Sequence, residues 1–269
     1  MNLVSSFRCF IKLLAEDAAL ARMGAPRGWL VRMHYGGRWA DRQKRAASPQ
    51  SVALDVRGRR LQVEMSSLYE GAFKGIFLDN EYDCAHLMQQ PPRRILDCGA
   101  NIGMGALYLG ALFPNAQFVC VEPDPRNIPL LEQNLRINGI QAKIHPCAIG
   151  STSGSLNLRL GENPTCSALE TSPMHSLADS TRVPVETVSD ILEKAGWDGV
   201  DFVKMDIEGS EDEVLSRNNS WLTHTRCLIL EIHPSTTPER IESYLRPFHF
   251  DLRQVGWKTE PVYFAGRPS

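Results

Sequence analysis

The chain has 269 residues, enough for one large α/β domain with an extension or for two small domains. Its composition is ordinary for a globular protein, and no apolar run approaches the roughly 18–20 residues that cross a bilayer. The N-terminus lacks a compact apolar core followed by a small-residue cleavage site, so we expect a cytoplasmic protein. The seven cysteines include no C-x-x-C pair, and we expect Cys98, Cys120 and Cys147 to be buried, reduced thiols.

The charge is close to balanced but unevenly spread. Residues 1–60 contain 12 Lys and Arg against 4 Asp and Glu, a net charge of +8, whereas the remainder carries −10. The two parts could attract each other, or the basic part could meet an acidic partner or a membrane surface. A solvated basic face is the more common explanation of such a pattern.

Residues 1–50 form a basic segment for which we predict a helical extension. Its apolar side chains recur at helical spacing, and we expect this face to pack on a neighbouring domain: Leu3, Phe7, Phe10, Ile11, Leu14 and Ala18. Gly24-Ala25-Pro26 ends the helix. A helix lying in a membrane interface is the alternative, but Glu16 and Asp17 among the bases argue against it.

Residues 51–90 are interpreted as a hairpin and a lead-in segment. Apolar residues alternate on both sides of Arg57-Gly58-Arg59, which predicts a hairpin over 52–65. Mixed helix and loop follow, and Pro91-Pro92 marks the start of the main domain, 91–269.

From Arg93 onward, strand and helix patterns alternate. Strands are expected near 94–98, 117–122, 142–147, 200–206 and 226–232, and helices near 103–112, 126–138, 187–195, 210–217 and 237–246. This order predicts an α/β fold with a doubly wound, mostly parallel sheet. We expect a short extra strand at 155–160, a long polar loop at 161–180, and an antiparallel pair near 248–254 and 261–264.

The first dense motif joins a buried strand to a glycine turn, Asp97-Cys98-Gly99-Ala100-Asn101-Ile102-Gly103. Its D-x-G-x-x-x-G spacing matches neither the G-x-G-x-x-G of dinucleotide sites nor a Walker A loop. A carboxylate at the strand end suits a positively charged ligand, so Asp97 could meet an ammonium group directly or through water. Gly99 and Gly103 would let the backbone approach that ligand closely.

The next strand ends in Glu122-Pro123, where a carboxylate can accept hydrogen bonds from both hydroxyls of a ribose. S-adenosylmethionine (SAM) has an ammonium group, a free ribose and no phosphate, so the two motifs together predict a SAM site. After the third strand, the backbone of Cys147 and Ala148 is expected to meet the adenine edge. Asp97 and Glu122 could instead be capping residues, but the glycines between two adjacent strand ends favour a ligand site.

The second dense motif is Lys204-Met205-Asp206-Ile207-Glu208, in which alternate side chains share one face of a strand. The following strand ends Glu231-Ile232-His233, so both motifs border one crevice. Ser210 with Glu213 has the spacing of a capping box for the next helix.

Three interpretations of this second motif stay open. His233 or a carboxylate could remove a proton from an acceptor hydroxyl. Asp206, Glu231 and His233 could hold a divalent cation that lowers the pKa of that hydroxyl. The residues could also form a buried salt-bridge network around Lys204.

Taken together, these motifs resemble the FkbM family of SAM-dependent methyltransferases. The matching segments are 97–103, 122–123, 148–150, 203–211 and 230–233. The resemblance implies the class I methyltransferase fold, which is Rossmann-like, and most often O-methylation of sugars, polyketides or other natural products. Residues 1–50 lie outside it.

The expected site follows from the motifs and the resemblance together. The cofactor would be lined by residues of the strand ends and turns: Asp97, Gly99, Ala100, Asn101, Gly103, Glu122, Pro123, Cys147 and Ala148. The transfer site would be formed by Lys204, Asp206, Glu208, Glu231 and His233.

We therefore expect methyl transfer from SAM to a hydroxyl of a small molecule or glycan. An N-methyltransferase acting on protein or nucleic acid is one alternative, because an aromatic and basic arm could contact nucleic acid: Trp29, Arg32, Tyr35, Arg38 and Trp39. Nucleic acid is the less favoured partner, since no Asn/Asp-Pro-Pro-Tyr/Phe loop follows the fourth strand. A non-catalytic scaffold that retains the fold is the other alternative.

Overall fold

A computed structural model of the chain describes residues 3–42, 49–161, 167–169, 179–256 and 261–267. The helices are α1 (Leu3–Arg22), α2 (Trp29–Arg42), α3 (Glu70–Phe77), α4 (Met104–Leu112), α5 (Ile128–Ile137), α6 (Val188–Ala195), α7 (Glu211–Ser216) and α8 (Pro238–Leu245). The strands are β1 (Gln50–Val56), β2 (Arg59–Met65), β3 (Arg94–Cys98), β4 (Gln117–Val121), β5 (Ala142–His145), β6 (Ala148–Ile149), β7 (Gly154–Leu160), β8 (Ala168–Leu169), β9 (Asp179–Glu186), β10 (Val200–Met205), β11 (Thr225–Glu231), β12 (Asp251–Gln254) and β13 (Val262–Gly266).

Seven strands form the central sheet in the order β12-β13-β11-β10-β3-β4-β5. The five strands from β11 to β5 are parallel, and β13 and β12 add an antiparallel pair at the β11 edge. The predicted doubly wound, mostly parallel sheet with antiparallel C-terminal strands is confirmed. Strand β3 has β4 on one side and β10 on the other, so a crevice opens where the chain order reverses, at the carboxyl ends of these strands.

Apolar layers cover both faces of the sheet. Ile95 of β3 packs in the layer that contains α4, α5 and the N-terminal elements, whereas its neighbour Leu96 packs in the layer of α6, α7 and α8. Successive side chains of one strand thus pack into opposite layers, as expected for a sheet that is buried on both faces. The N-terminal helices share the first layer. The division into segments 1–50, 51–90 and 91–269 stays a prediction.

The buried face of α1 differs from the predicted one. Leu13, Asp17 and Leu20 are buried, while Phe10, Ile11, Leu14 and Ala18 are exposed. The reason is Asp17, whose carboxylate accepts hydrogen bonds from the backbone N–H of Gly28 (2.7 Å) and Leu30 (2.9 Å) at the start of α2. These contacts bury the face of α1 that carries Asp17, and the spacing of apolar residues alone does not reveal that a polar side chain belongs to the buried face.

The predicted hairpin is confirmed as β1 and β2, which pair over their full length. Asn134 of α5 holds the hairpin on the main layer, because its side chain accepts from the N–H of Glu64 (2.8 Å) and donates to the carbonyl of Glu64 (3.0 Å).

A second, four-stranded sheet has the order β6-β9-β7-β8. Strand β7 confirms the predicted extra strand, whereas β9 was not predicted. Of the expected loop 161–180, residues 162–166 and 170–178 lie outside the described residues. None of the described helices combines the length and apolarity that a bilayer crossing requires. Cys98, Cys120 and Cys147 are buried and free, as predicted.

Candidate functional site

The glycine turn after β3 is shaped by close contact between main chains. Gly99 has φ +78°, and a Cβ placed on it would lie 1.8 Å from the carbonyl oxygen of Asp206. Its N–H donates to the carbonyl of Val121 (3.0 Å). Only glycine fits here, because both the positive φ and the approach exclude a side chain. The turn is thereby fixed against both neighbouring strand ends.

A first cleft of about 570 Å³ opens beside this turn, on the β4 side. Its walls come from the ends of β3, β4 and β10, from the segment after β5 and from β7: Gly99, Asn101, Val121, Glu122, Pro123, Asn127, Cys147, Ala148, Ile149, Leu158, Ser167, Asp206, Ile207, Glu208 and Ser210.

Glu122 is the buried carboxylate of the first cleft. It accepts hydrogen bonds from the N–H of Asn101 (2.7 Å), the N–H of Asp124 (2.9 Å) and the side-chain amide of Asn127 (3.0 Å). Burial raises the pKa of Glu122 to about 7, although these hydrogen bonds oppose the shift. Additional donors from a ligand, such as ribose hydroxyls, would favour the ionised form.

Ser210 adds a polar atom without a protein partner to the first cleft. Its hydroxyl oxygen is buried and has no hydrogen bond among the described residues. The predicted capping box is wrong, because Ser210 makes no side-chain cap and Glu213 instead accepts a hydrogen bond from the hydroxyl of Ser151 (2.7 Å). A buried hydroxyl left unpaired is costly, and a ligand atom in the cleft would satisfy it.

Asp97 and Lys204 form a buried ion pair at the base of the site. The strands β3 and β10 place the two residues in register, and Lys204 Nζ lies 3.3 Å from Asp97 Oδ1. The ammonium also donates to the carbonyl of Gly99 (2.7 Å). Burial alone would lower the pKa of Lys204, but the charges of Asp97, Asp206 and Glu231 raise it instead. The cationic partner of Asp97 is therefore a residue of this chain.

A second, larger cleft of about 1750 Å³ lies on the other side of the turn. It is walled by α1, α3, the lead-in segment and the ends of β3, β10 and β11: Lys12, Glu16, Gly71, Ala72, Lys74, Gly75, Ile76, Asp79, Glu81, Tyr82, Gly99, Ala100, Asn101, Met104, Gly105, Lys204, Asp206, Glu208 and Glu231. Gly99, Asn101, Asp206 and Glu208 border both clefts. The two clefts thus adjoin at these four residues.

Carboxylates crowd the wall of the second cleft. Burial, and then the charge of Asp206, raise the pKa of Glu81 to about 7. The same two causes raise the pKa of Glu208 and of Glu231. Lys204 Nζ is 3.5 Å from Asp206 Oδ2 and is the buried cation among them. The negative groups outnumber this cation, so a bound proton or cation is favourable here.

His233 lies behind this wall rather than in either cleft. Its side chain is 3% exposed, and Nδ1 is 2.9 Å from Oε1 of the fully buried Glu211. Nε2 points towards Glu208 (3.7 Å) and Asp206 (3.9 Å), beyond hydrogen-bond distance. Burial would lower the pKa of His233, but Glu211 outweighs it and raises the pKa to about 10. The imidazole therefore carries its proton at neutral pH.

The residues predicted from sequence divide between these positions. Gly99, Asn101, Glu122, Pro123, Cys147 and Ala148 line the first cleft, and Ala100, Lys204, Asp206, Glu208 and Glu231 line the second, with Gly99, Asn101, Asp206 and Glu208 in both. Asp97, Gly103 and His233 line neither. Gly103 has φ +88° at the start of α4, where it turns the chain.

Several lining residues were not predicted. Glu81 and Tyr82 come from the lead-in segment, and Asn127 and Ser210 lie at the starts of α5 and α7. No spacing rule singles these residues out. Gly75 of α3 leaves room for Glu81 in the structure, because a Cβ on Gly75 would lie 2.5 Å from the Glu81 carboxylate.

One group of side chains has the spacing of a metal site. Ligand atoms of Asp206, Glu208 and His233 lie within 4.8 Å of one another. The predicted set contained Glu231 in place of Glu208, and Glu231 does not belong to this group.

The donor set fits SAM in chemistry. The first cleft offers a buried carboxylate for hydroxyls at Glu122 and, at Ser210, a buried hydroxyl that has no hydrogen-bond partner among the described residues. Among the described residues that line this cleft there is no lysine or arginine to pair with phosphates.

Known proteins match the chain in the same region. The methyltransferase FkbM domain family matches residues 97–255. Methyltransferase sdnD of Sordaria araneosa is 29% identical over 225 residues, which cover 72% of this chain and 86% of that protein. The 2-O-methyltransferase NoeI of Sinorhizobium fredii is 27% identical over 159 residues, covering 54% of this chain and 65% of that protein.

Among solved structures, magnesium protoporphyrin IX methyltransferase of Synechocystis PCC 6803 aligns with a TM-score of 0.45 and 13% identity, over 74% of this chain and 80% of that one. The family match spans more than half of the chain and includes the glycine turn, Glu122 and the Lys204–Glu208 segment. The chain therefore belongs to the FkbM family and is a SAM-dependent methyltransferase.

Proposed function

We propose that this enzyme transfers a methyl group from SAM to a hydroxyl oxygen of a small molecule or glycan. The observation that carries the proposal is the junction of the two clefts, where Asp206 and Glu208 border both cavities. A donor in one cleft and an acceptor in the other would meet at this point. When bound, SAM supplies an electrophilic methyl group on a sulfonium.

The first cleft is assigned to the cofactor. Glu122 would accept the ribose hydroxyls, and the backbone of Cys147 and Ala148 would face the base. Asp97 acts through Lys204, whose ammonium it holds against the carbonyl of Gly99. In this proposal Asp97 positions the turn and Lys204 instead of binding the cofactor's ammonium group.

The second cleft is assigned to the acceptor. Its carboxylates can accept hydrogen bonds from several hydroxyls at once, as a sugar or polyol requires. Glu231 and Glu81, with their raised pKa values, can also hold a proton and donate it to an acceptor oxygen. The relative NoeI is named a 2-O-methyltransferase, which agrees with a hydroxyl acceptor.

Proton removal is assigned to Asp206. His233 already carries a proton at neutral pH, which makes it a poor general base. Asp206 lies between two cations, with Lys204 at 3.5 Å and His233 at 3.9 Å. Asp206 borders both clefts, so its carboxylate can accept the hydroxyl proton at their junction while His233 and Lys204 position it.

A bound divalent cation is the second candidate for activating the acceptor hydroxyl. The arrangement around His233 favours it. Glu211 orients the His233 ring from behind, as outer carboxylates orient metal-bound histidines. Asp206, Glu208 and His233 would hold the ion, which would lower the pKa of the acceptor hydroxyl. Lys204 beside Asp206 opposes this arrangement through like charge.

The alternatives receive less support. The described lining of the second cleft has six carboxyl groups against three lysines, so it lacks the excess of basic side chains that nucleic-acid phosphates require. Of the aromatic arm, Trp29 is buried against Phe73, with ring centroids 5.3 Å apart. The side chains of Arg38 and Trp39 lie outside the described ones.

The test uses SAM with a labelled methyl group and a panel of sugars, polyols, phenols and amines. Label that enters hydroxylated acceptors supports the proposal, and label that enters only amines overturns it. Calorimetry with S-adenosylhomocysteine (SAH) runs in parallel. Absence of SAH binding would favour a scaffold.

A further inference from the structure

Helix α1 presents an apolar face to solvent. Phe10, Ile11 and Leu14 are 37%, 50% and 41% exposed. They lie one helical turn apart or less, and exposed Ala18 extends the same face. Among described residues, the other large apolar side chains with comparable exposure are Tyr35, Leu68 and Val255, so α1 carries the densest group. Contiguous exposed apolar groups commonly mark an interaction surface.

The charges bordering this face are basic. Arg8 lies one turn before Ile11, and Arg22 lies three turns after it on the same side of the helix. Both side chains are exposed. These residues belong to the segment 1–60 of net charge +8.

The two acids of α1 are turned away from this face. Asp17 is buried as the cap of α2. Glu16 lies 3.2 Å from Lys74 of α3 and 3.8 Å from Lys12, on the side of α1 that faces the second cleft. The objection that acids mix with bases on the polar side of α1 is thereby removed. The solvent-facing part combines apolar and basic side chains, which is the composition of helices that lie on anionic membranes.

We propose that the face of α1 formed by Phe10, Ile11 and Leu14 binds an anionic lipid surface. The apolar side chains would enter the interface, and Arg8 and Arg22 would meet lipid headgroups. A second copy of this chain is a poorer occupant, because a symmetric contact would bring these basic residues together. Since Lys12 and Glu16 of the same helix wall the second cleft, binding would hold that cleft beside the membrane. The proposal is independent of which acceptor is methylated.

Vesicle sedimentation tests the proposal with the full chain. We expect binding to vesicles of phosphatidylcholine with phosphatidylglycerol, and weak binding to phosphatidylcholine alone, with a decline as salt rises. Ile11→Asp with Leu14→Asp should reduce binding roughly tenfold or more, and Arg8→Glu with Arg22→Glu should reduce it selectively on anionic vesicles. Val255→Asp is the matched control, since Val255 is exposed far along the chain in the C-terminal region, and it should bind as the parent does.

Sedimentation velocity and SAH calorimetry accompany the assay. Each variant should keep the parent's SAH affinity, which separates loss of lipid binding from loss of fold or of the cofactor site. Absence of parent binding to anionic vesicles, or equal binding by the Ile11/Leu14 double variant, would overturn the proposal. A parent dimer that this variant dissociates without a change in vesicle binding would assign the face to a second copy instead.

Discussion

Lys204 Nζ lies 3.3 Å from Asp97 Oδ1, and both side chains are buried. Neither oxygen of Asp97 has a hydrogen bond among the described residues, so Lys204 supplies its compensating charge. The two dense motifs of the sequence are therefore one physical unit, joined across the pairing of β3 and β10. Loss of either partner would leave an uncompensated buried charge, which typically costs several kcal/mol.

Glu122→Gln should weaken SAH binding roughly tenfold to a hundredfold, because hydrogen bonds to an ionised acceptor contribute about 1.5–3 kcal/mol. The pKa of Glu122 is raised to about 7, so part of the ligand-free protein holds a protonated Glu122 at neutral pH. Ribose hydroxyls favour the ionised form, and parent affinity should therefore rise with pH through about 7. Calorimetry at several pH values measures both effects. Exposed Glu132→Gln is the control, and unchanged affinity in Glu122→Gln would remove Glu122 from the site.

Asp206→Asn should lower turnover by about 10²–10⁴, the range for loss of a general base, with little change in SAH affinity. The side chain keeps its size and loses its ability to accept a proton. Single-turnover assays with labelled SAM and SAH calorimetry give the two quantities. Asp198→Asn serves as control, since the Asp198 side chain is 91% exposed. Normal turnover in Asp206→Asn would make this residue structural.

Chelation should leave methyl transfer unchanged if proton transfer to Asp206 suffices. The measurement is the initial rate after extended dialysis against a strong chelator, followed by addition of Mg²⁺, Mn²⁺ or Zn²⁺. A lost rate that one cation restores would instead support the ion site at Asp206, Glu208 and His233.

Gly99→Ala should destabilise the protein more than Gly139→Ala does. Gly139 has φ +65° with open space around it, so its substitution reports the backbone strain alone, about 1–2 kcal/mol. Gly99 adds a clash with the carbonyl of Asp206, and we expect a further loss of about 1–3 kcal/mol. Urea unfolding of both variants measures the difference. Equal losses would mean that the close approach at Gly99 costs nothing.

Asp17→Ala should lower the free energy of unfolding by about 1–2 kcal/mol, because two N–H groups at the start of α2 lose their acceptor. Asp251→Ala, at an exposed position on β12, should change it by less than about 0.5 kcal/mol. Thermal or urea unfolding checks both. Equal stabilities of the two variants would show that the cap of α2 contributes little.

The central sheet could be predicted because its signals are local. The strand expected at 94–98 occurs as Arg94–Cys98, since an apolar run is bounded there by prolines and by glycine. Strand β9 was not predicted, because Pro184 interrupts a short apolar run and proline usually argues against a strand. Its pairing with β7 is a tertiary effect that no local pattern reports.

The site could be predicted only in part. Strand ends identify Glu122 and Asp206, but the partner of Asp97 is a lysine 107 positions away that only the sheet brings near. Glu81 also reaches the second cleft only through the fold, because it comes from the lead-in segment, where helix and loop patterns are mixed. His233 was expected at the transfer site, and the buried contact with Glu211 instead sets it behind the wall.

The close contact between Gly99 and the Asp206 carbonyl has a consequence for how such enzymes diverge. The partition between the two clefts contains main chain packed on main chain, which side-chain substitution cannot easily move. The outer wall of the second cleft, from α1 and α3, consists of replaceable side chains. In the proposed assignment of the clefts, new acceptors could therefore be acquired by changes in that outer wall that leave the first cleft unaltered.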